Sequence, residues 1–350
     1  MTELWELVSK TEDAFPIDPV GCRAVLRQAN SSTDVRNYLV GILRQLETND
    51  LAVIPEVWRV AIPLAYRLGL DDSSSGFHIA SRLRDAAICL AYPTTMKNFK
   101  DELDWVYESA CGIKYSQLNV LDVEFSQTMS DFLSGYKENW KIYSRIKTAS
   151  SILSKLAAFH TGKKKPKAQE NYKVSDSDIQ AFLHQFSRQF QSRMNGSPIS
   201  DPYDLSVLKY ILPDCIAFTI QLSESRQIPT IAKQKYEQIF KDFSVIPSEI
   251  YFGPAYSQSW HINRLTSHFL CTFSGGLKIP IELFIRTDLD YYIGYSNYWL
   301  YKGIQLYYST DRQKKIYQTN FIRQVRKCRS FEEVQSLIFR DLVSGQLDIF

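Results

Sequence analysis

The segment YSRIKTASSILSKL, residues 143–156, places three cations around a run of small residues. Alternation of apolar and polar residues in WKIYSRIK predicts a strand, and the apolar spacing of SSILSKLAAFH predicts a helix. On a strand Arg145 and Lys147 share one face, and on a helix Ser151 and Lys155 share one face. A strand that leads into this helix would therefore direct all four side chains at one pocket.

Such a pocket has the character of a polyphosphate site. The first turn of a helix adds backbone N–H groups and the positive end of the helix dipole, and both favour anions. The alternative is a solvated junction of strand and helix whose surface cations are unrelated to one another. The segment by itself leaves both interpretations open.

Composition excludes several classes of protein. The chain has 350 residues, of which 45% are hydrophobic, so it can bury a sizeable core. Its 41 Lys and Arg against 38 Asp and Glu give a formal net charge of +3, and this near balance does not predict a nucleic-acid coat protein. Six cysteines without a CxxC pair predict reduced thiols. No signal peptide and no apolar run of ~20 residues is visible, so we expect a soluble, cytoplasmic protein without a membrane partner.

Hydrophobic spacing predicts an α+β fold. Helical patterns such as VRNYLVGILRQLE fill the first third, and strand-like runs such as CIAFTIQL, HFLCTFSG and IPIELFIRT follow residue 140. We therefore expect a helical N-terminal region followed by a mixed sheet flanked by helices. The predicted divisions are a helical segment 1–55, a helical region 56–130, a sheet domain 131–310 and a helical tail 311–350.

Two carboxylates fall in apolar surroundings. Asp214 opens the run DCIAFTIQL, and Glu282 lies between Ile281 and Leu283 in IPIELFIRT. A buried carboxylate is costly unless it is paired or binds a metal, and hard oxygen ligands suit Mg²⁺ with nucleotide phosphates. Arg286 could neutralise Glu282 instead, although four strand residues separate the two by about 13 Å.

Four segments together resemble the synthetase domain of RelA/SpoT-type nucleotide pyrophosphokinases. RIKTASSILSKL resembles the family motif in which Arg-x-Lys is followed by Ser and Lys, and DCIAFTI resembles its Asp-Leu-Ile-Ala-Ile-Arg strand. IELFIRT resembles its Glu-x-Gln-Ile-Arg-Thr strand, and SNYWLYK resembles its Ala-His-Trp-x-Tyr-Lys segment. With the helices upstream, the likeness covers residues 56–302 and implies a nucleotidyltransferase-like fold.

The resemblance implies pyrophosphate transfer from ATP to the 3′-hydroxyl of GDP or GTP, which is alarmone synthesis. Arg145, Lys147 and Lys155 would hold the ATP phosphates, with Ser151 nearby. Such a transfer depends on positioning and charge neutralisation more than on covalent chemistry.

The same resemblance implies a Mg²⁺ site and a catalytic group. Asp214 and Glu282 would bind the metal, and Glu282 would also help to activate the acceptor hydroxyl. Arg286, which ends the Glu-x-Gln-Ile-Arg-Thr match, is expected to act beside these carboxylates.

The acceptor side departs from the family pattern Asn-Gly-Tyr-x-Ser-x-His. In NRLTSHF, Asn263 and Ser267 match and are expected to bind nucleotide. Arg264, Leu265 and Phe269 replace the Gly, the stacking Tyr and the His, while His268 stands one place early. A loop from Tyr251 to Trp260 could supply the missing aromatic ring.

These departures leave two other functions open. Pyrophosphorylation of tRNA 3′ ends would suit the lost Tyr and the lysines of 163–167, which could contact RNA phosphates. A pseudoenzyme would bind nucleotide or a protein partner without turnover. A family-type Mn²⁺ hydrolase is not expected, because no His is followed by Asp. The sequence leaves a homo-oligomer open.

Overall fold

The computed structural model describes residues 15, 18–68, 76–134, 141–160, 174–222, 247–259, 262–287 and 290, with single residues between 323 and 340. The helices with defined bounds are α1 (Pro19–Gln28), α2 (Ser32–Glu47), α3 (Ile54–Glu56), α4 (Ile62–Leu68), α5 (Gly76–Ala91), α6 (Pro93–Cys111), α7 (Leu118–Ser134), α8 (Ala149–His160), α9 (Asp176–Met194) and α10 (Leu205–Ile211). The strands are β1 (Lys141–Ile146), β2 (Ile216–Leu222), β3 (Pro247–Ser259), β4 (Ile262–Thr272) and β5 (Lys278–Thr287).

The chain divides into two compact units, one with Thr11–Ala91, Gln258–Ile262 and the segment from Asp288, and the other with Tyr92–Ser257 and Asn263–Thr287. One unit contains helices α1 to α5. In α2, Ser31 caps the helix by accepting a hydrogen bond from the Asp34 amide, and one face buries Val35 and Leu39 among other apolar side chains. The predicted range 56–130 is thus divided between the two units, and the boundaries near 55, 130 and 310 stay predictions.

The second unit contains the sheet, whose strand order is β1-β2-β5-β4-β3. Strand β1 is antiparallel to β2, β2 is parallel to β5, and β5 is antiparallel to β4. A tight turn with Gly275 and Gly276 at positive φ joins β4 to β5, a conformation that glycine adopts readily because it has no Cβ. The structure therefore confirms a mixed α and β architecture built on a mixed sheet.

The two faces of the sheet differ sharply in polarity. Strand pairing aligns Ile146, Ile216, Ile281 and Phe269 on one face, which we call the apolar face. The neighbouring aligned row belongs to the opposite face, because successive strand residues point to opposite sides. That row consists of Arg145, Ala217, Glu282 and His268, and we call its side the polar face.

Most predicted elements of this unit are confirmed, with one exception. The expected strands WKIYSRIK, CIAFTIQL and IPIELFIRT correspond to β1, β2 and β5, and SSILSKLAAFH corresponds to α8. The expected loop from Tyr251 to Trp260 is wrong for its described part, because residues as far as Ser259 belong to β3. Gly253 and Pro254 made this stretch resemble a loop. NRLTSHF likewise lies in strand β4.

Some predictions fall outside the described residues or are only partly covered. The SNYWLYK segment and the lysines of 163–167 lie outside the described residues. In the expected C-terminal helix, Glu333, Ser336, Leu337 and Arg340 are helical. Among the described helices, none has the length and apolar character that a bilayer crossing requires.

A buried polar network ties α6 to α9. Glu102 of α6 is fully buried, with a relative exposure of 0%. Its Oε2 accepts a hydrogen bond of 2.8 Å from Arg193 Nε, and its Oε1 accepts one of 2.6 Å from the Tyr203 hydroxyl. Burial, with the Glu102 charge beside it, raises the pKa of Tyr203 well above its usual value. Both oxygens of the carboxylate are therefore paired within the core.

We expect Glu102→Ala to destabilise this unit by about 3–5 kcal/mol, since Arg193 is left without its buried counter-charge. Arg188→Ala is the matched control, because Arg188 of α9 pairs with Asp201 in the loop that follows the helix, and both side chains are about half exposed at 50% and 51%. Removal of such a pair costs roughly 0–1 kcal/mol. Urea unfolding followed by circular dichroism measures both, and equal losses in the two variants would contradict the assignment.

Candidate functional site

Three elements of the sheet unit converge on Asp214. This residue lies in the turn between α10 and β2, two positions before the strand that it was expected to open. Lys147, just beyond β1, donates to Asp214 Oδ2, and Lys155 of α8 donates to Oδ1 at 2.6 Å. The exposed fraction of the side chain is 14% for Lys147, 9% for Lys155 and 18% for Asp214. The strand and helix of the opening segment thus direct both lysines at one carboxylate.

Backbone contacts hold the junction of β1 and α8 in place. The Lys147 amide donates to the Cys215 carbonyl at 2.8 Å, and the Tyr115 hydroxyl donates to the Lys147 carbonyl at 2.7 Å. At the start of α8, Thr148 Oγ1 donates to Ser151 Oγ at 3.0 Å. Ser151 therefore lies in the first helical turn, as the sequence predicts, with its hydroxyl engaged by Thr148.

Glu282 occupies the middle of the polar face. Its residue exposure is 7%, and that of His268, its direct partner on β4, is 3%. His268 Nε2 and Glu282 Oε1 are 3.1 Å apart, and the carboxylate accepts this hydrogen bond because an ionised carboxylate has no proton to donate. The hydrogen bond to His268 is the interaction that satisfies the charge which looked costly in the sequence.

Burial and charge act in opposite directions on the carboxylates. Burial would raise the pKa of Glu282, but the His268 hydrogen bond and the Arg145 charge together hold that pKa at about 2. Burial would likewise raise the pKa of Asp214, and the two lysines hold it well below its usual value. Asp214 also acts to raise the pKa of Glu282, so the two carboxylates lie within electrostatic range of each other.

The pKa of the Lys147 ammonium group is also shifted. Burial lowers its pKa from 10.5 to about 8, with Lys155 and Arg145 acting in the same direction and Asp214 opposing. Arg145 adds a third cation, and its buried Nε has no hydrogen-bond partner within the described part of the chain. Three cations therefore face two carboxylates, and an incoming polyanion would find an excess of positive charge.

Other predicted site residues are placed elsewhere. Ser267 pairs with Leu283 on the apolar face and has an exposure of 0%, so it is not brought together with Glu282 and this placement does not support a nucleotide contact. Arg286 shares the polar face with Glu282 but lies four residues further along β5, about 13 Å away. Asn263 belongs to β4, and its side chain lies outside what the structure describes.

Sequence reasoning missed His268 and Tyr251 as neighbours of Glu282. The rings of Tyr251 and His268 have centroids 6.0 Å apart, and the Tyr251 hydroxyl donates to the Lys209 carbonyl at 2.9 Å. Both contacts depend on the order and register of β3, β4 and β5, which periodicity along one strand does not reveal. An aromatic ring from β3, that of Tyr251, is thus present beside the candidate site.

The side chains available as ligands can be compared with the Mg²⁺ site that the sequence predicts. Within the described residues, no group of three or more His, Cys, Asp or Glu side chains could enclose a metal ion. Mg²⁺ in nucleotide sites usually takes one or two carboxylates and completes its shell with phosphates and water. Asp214 and Glu282 fit that pattern, provided that the nucleotide phosphates draw the ammonium groups of Lys147 and Lys155 away from Asp214.

Comparisons with protein-family models and with curated proteins find no match to this chain. A function for this chain must therefore be inferred from the geometry of the site.

The low pKa of Lys147 predicts a pH-dependent anion site. As the pH rises through about 8, the free protein loses the Lys147 proton, so the affinity for inorganic triphosphate should fall by up to ~tenfold per pH unit. Lys147→Arg keeps its charge throughout this range, so its affinity should decline less. Isothermal titration calorimetry of both proteins from pH 7 to 9.5 measures the difference, and parallel pH profiles would refute this assignment.

Proposed function

We propose that the chain is a nucleotide pyrophosphokinase of the RelA/SpoT type, which transfers pyrophosphate from ATP to the 3′-hydroxyl of a nucleotide. The observation that carries the proposal is the convergence of Lys147 and Lys155 on Asp214, within electrostatic range of Glu282. The cations come from the strand and helix of the segment that resembles the family motif. The mixed sheet with flanking helices is compatible with a nucleotidyltransferase-like fold.

The donor triphosphate binds at the cations in this proposal. Arg145 has spare hydrogen-bonding capacity at its buried Nε, and the two lysines exchange Asp214 for phosphate oxygens. Charge-assisted hydrogen bonds of this kind are the strong ones in proteins. Transfer of a phosphoryl group requires mainly such positioning and neutralisation of charge. The first turn of α8, with Ser151, lies beside the same phosphates.

Asp214 and Glu282 hold the metal and orient the acceptor. Mg²⁺ would neutralise charge that develops on the phosphates, and these two carboxylates would be its protein ligands. A carboxylate with a pKa of about 2 is a weak general base. Glu282 therefore acts chiefly through its charge, as a metal ligand and as the acceptor of a hydrogen bond from the attacking 3′-hydroxyl. Because ATP is the donor, we expect the activity in the cytoplasm.

One observation favours a second function, nucleotide binding without turnover. Asp214 is paired with two lysines, and Glu282 is hydrogen-bonded to His268. If these interactions persist when ATP binds, the carboxylates cannot take up Mg²⁺, and the chain would be a nucleotide-binding regulator. Turnover separates the two functions.

The direct test is incubation with γ-labelled ATP, Mg²⁺ and GDP, GTP or bulk tRNA. We expect label on GDP or GTP together with release of AMP, and label on tRNA would redirect the proposal to RNA ends. Glu282→Gln should reduce transfer at saturating ATP by roughly 10²-fold or more, because it removes charge beside the reacting hydroxyl. Glu249→Gln is the control, since this acid on β3 is half exposed at 50% and pairs with Lys209.

Equal turnover of wild type and a well-folded Glu282→Gln variant would contradict the catalytic assignment. Absence of turnover by the wild type with every acceptor, alongside tight ATP binding, would favour the regulator.

A further inference from the structure

A cluster of two arginines and one aromatic ring lies on the polar face beyond Glu282. Phe284 is the next residue of β5 on that face, and it pairs with Thr219 of β2 and Thr266 of β4. Its exposure is 8%. The guanidinium carbons of Arg264 and Arg286 lie 4.7 Å and 4.9 Å from the centre of its ring. We call these three residues the arginine–phenylalanine cluster.

The cluster holds two like charges on one buried ring. Contact with the ring stabilises each guanidinium and restricts the orientation of two long, flexible side chains. A guanidinium carries five N–H donors, so it can bind neighbouring protein groups and a ligand at once. Two guanidiniums held against the same ring suit an anion with several oxygens, since Arg binds phosphate through paired hydrogen bonds.

The position of the arginine–phenylalanine cluster relative to Glu282 indicates which part of a nucleotide the cluster can bind. Strands β2 and β5 are parallel, with Ala217 opposite Glu282, so Asp214 lies toward the start of β5 and Arg286 toward its end. The two lysines that bind Asp214 and the cluster are therefore on opposite sides of Glu282. Along β5, Phe284 is about 7 Å and Arg286 about 13 Å from Glu282. A nucleotide with its 3′-hydroxyl at Glu282 has its 5′-phosphates within the same range.

We propose that Arg264, Phe284 and Arg286 form the subsite for the 5′-phosphates of the acceptor nucleotide, an inference that rests on the proposed function. A free nucleoside 5′-diphosphate or triphosphate brings at least two negative charges to the two guanidiniums. The terminal nucleotide of an RNA brings one bridging phosphodiester. The cluster thus selects a free nucleotide over a tRNA end. Arg264 and Phe284 stand where the resembled pattern has Gly and Gln, so this subsite is a feature of this chain.

Binding of GDP, GMP and guanosine, measured by calorimetry with Mg²⁺ and a non-hydrolysable ATP analogue present, tests the subsite without requiring turnover. For Arg264→Gln and Arg286→Gln, we expect GDP affinity to fall by about tenfold to a hundredfold, while affinity for guanosine and for the ATP analogue stays unchanged. GMP should show an intermediate loss. Phe284→Leu, which removes the ring and keeps both charges, should weaken GDP binding in the same selective way.

Arg188→Gln, in the half-exposed pair on α9, is the matched control and should bind all probes as the wild type does. GDP binding that is equal in wild type and the three variants overturns the subsite, and transfer to GDP by those proteins would leave the proposed function standing. If the variants selectively lose GDP binding but the wild type shows no turnover, the result supports the subsite and contradicts the proposed transferase activity. A wild type that binds no GDP overturns both.

Discussion

The ion pairs of Asp214 with Lys147 and Lys155 are the interaction on which the site depends. They join the turn before β2 to the end of β1 and to the adjoining helix α8, which lie 67 and 59 residues earlier in the sequence at Lys147 and Lys155. All three side chains are largely withdrawn from solvent, where an unpaired charge would be costly. Because loss of any one charge would leave another buried charge without its partner, the ion pairs hold β1 and α8 in a fixed arrangement with the turn before β2.

The same constraint makes the site responsive to a polyanion. Removal of one partner from a buried ion pair is costly, whereas exchange of one partner for another is not. Phosphate oxygens can replace Asp214 as partners of the ammonium groups, and a divalent cation can then replace the ammonium groups as the partner of Asp214. Glu282, held ionised by His268 and Arg145, lies within electrostatic range of this exchange. In the proposed function, binding of ATP and binding of metal would therefore be coupled through Asp214.

The periodicity of single segments predicted the features that depend only on residues close together in the sequence. Arg145, Lys147, Ser151 and Lys155 were assigned to one junction because strand and helix periods place each pair on one face. Glu282 was recognised because a carboxylate in an apolar strand requires a partner. The partner, His268, could not be found in this way, since it depends on the register of β4 against β5. A shift of one residue would reverse every face of β4, so the sequence alone does not show which face Ser267 occupies.

In the proposed function, the cations of the β1–α8 junction bind the triphosphate of ATP. Calorimetric titration with Mg²⁺ and ATP of the wild type and of the Arg145→Ala, Lys147→Ala double variant tests this binding most directly. Lys209→Ala is the control, since this lysine contacts Tyr210 and Tyr251 instead. Each lost charge-assisted contact should cost roughly 1.5–3 kcal/mol, so the affinity for ATP should fall by about two orders of magnitude or more in the double variant and stay unchanged in the control. Undiminished ATP affinity in a well-folded double variant would contradict it.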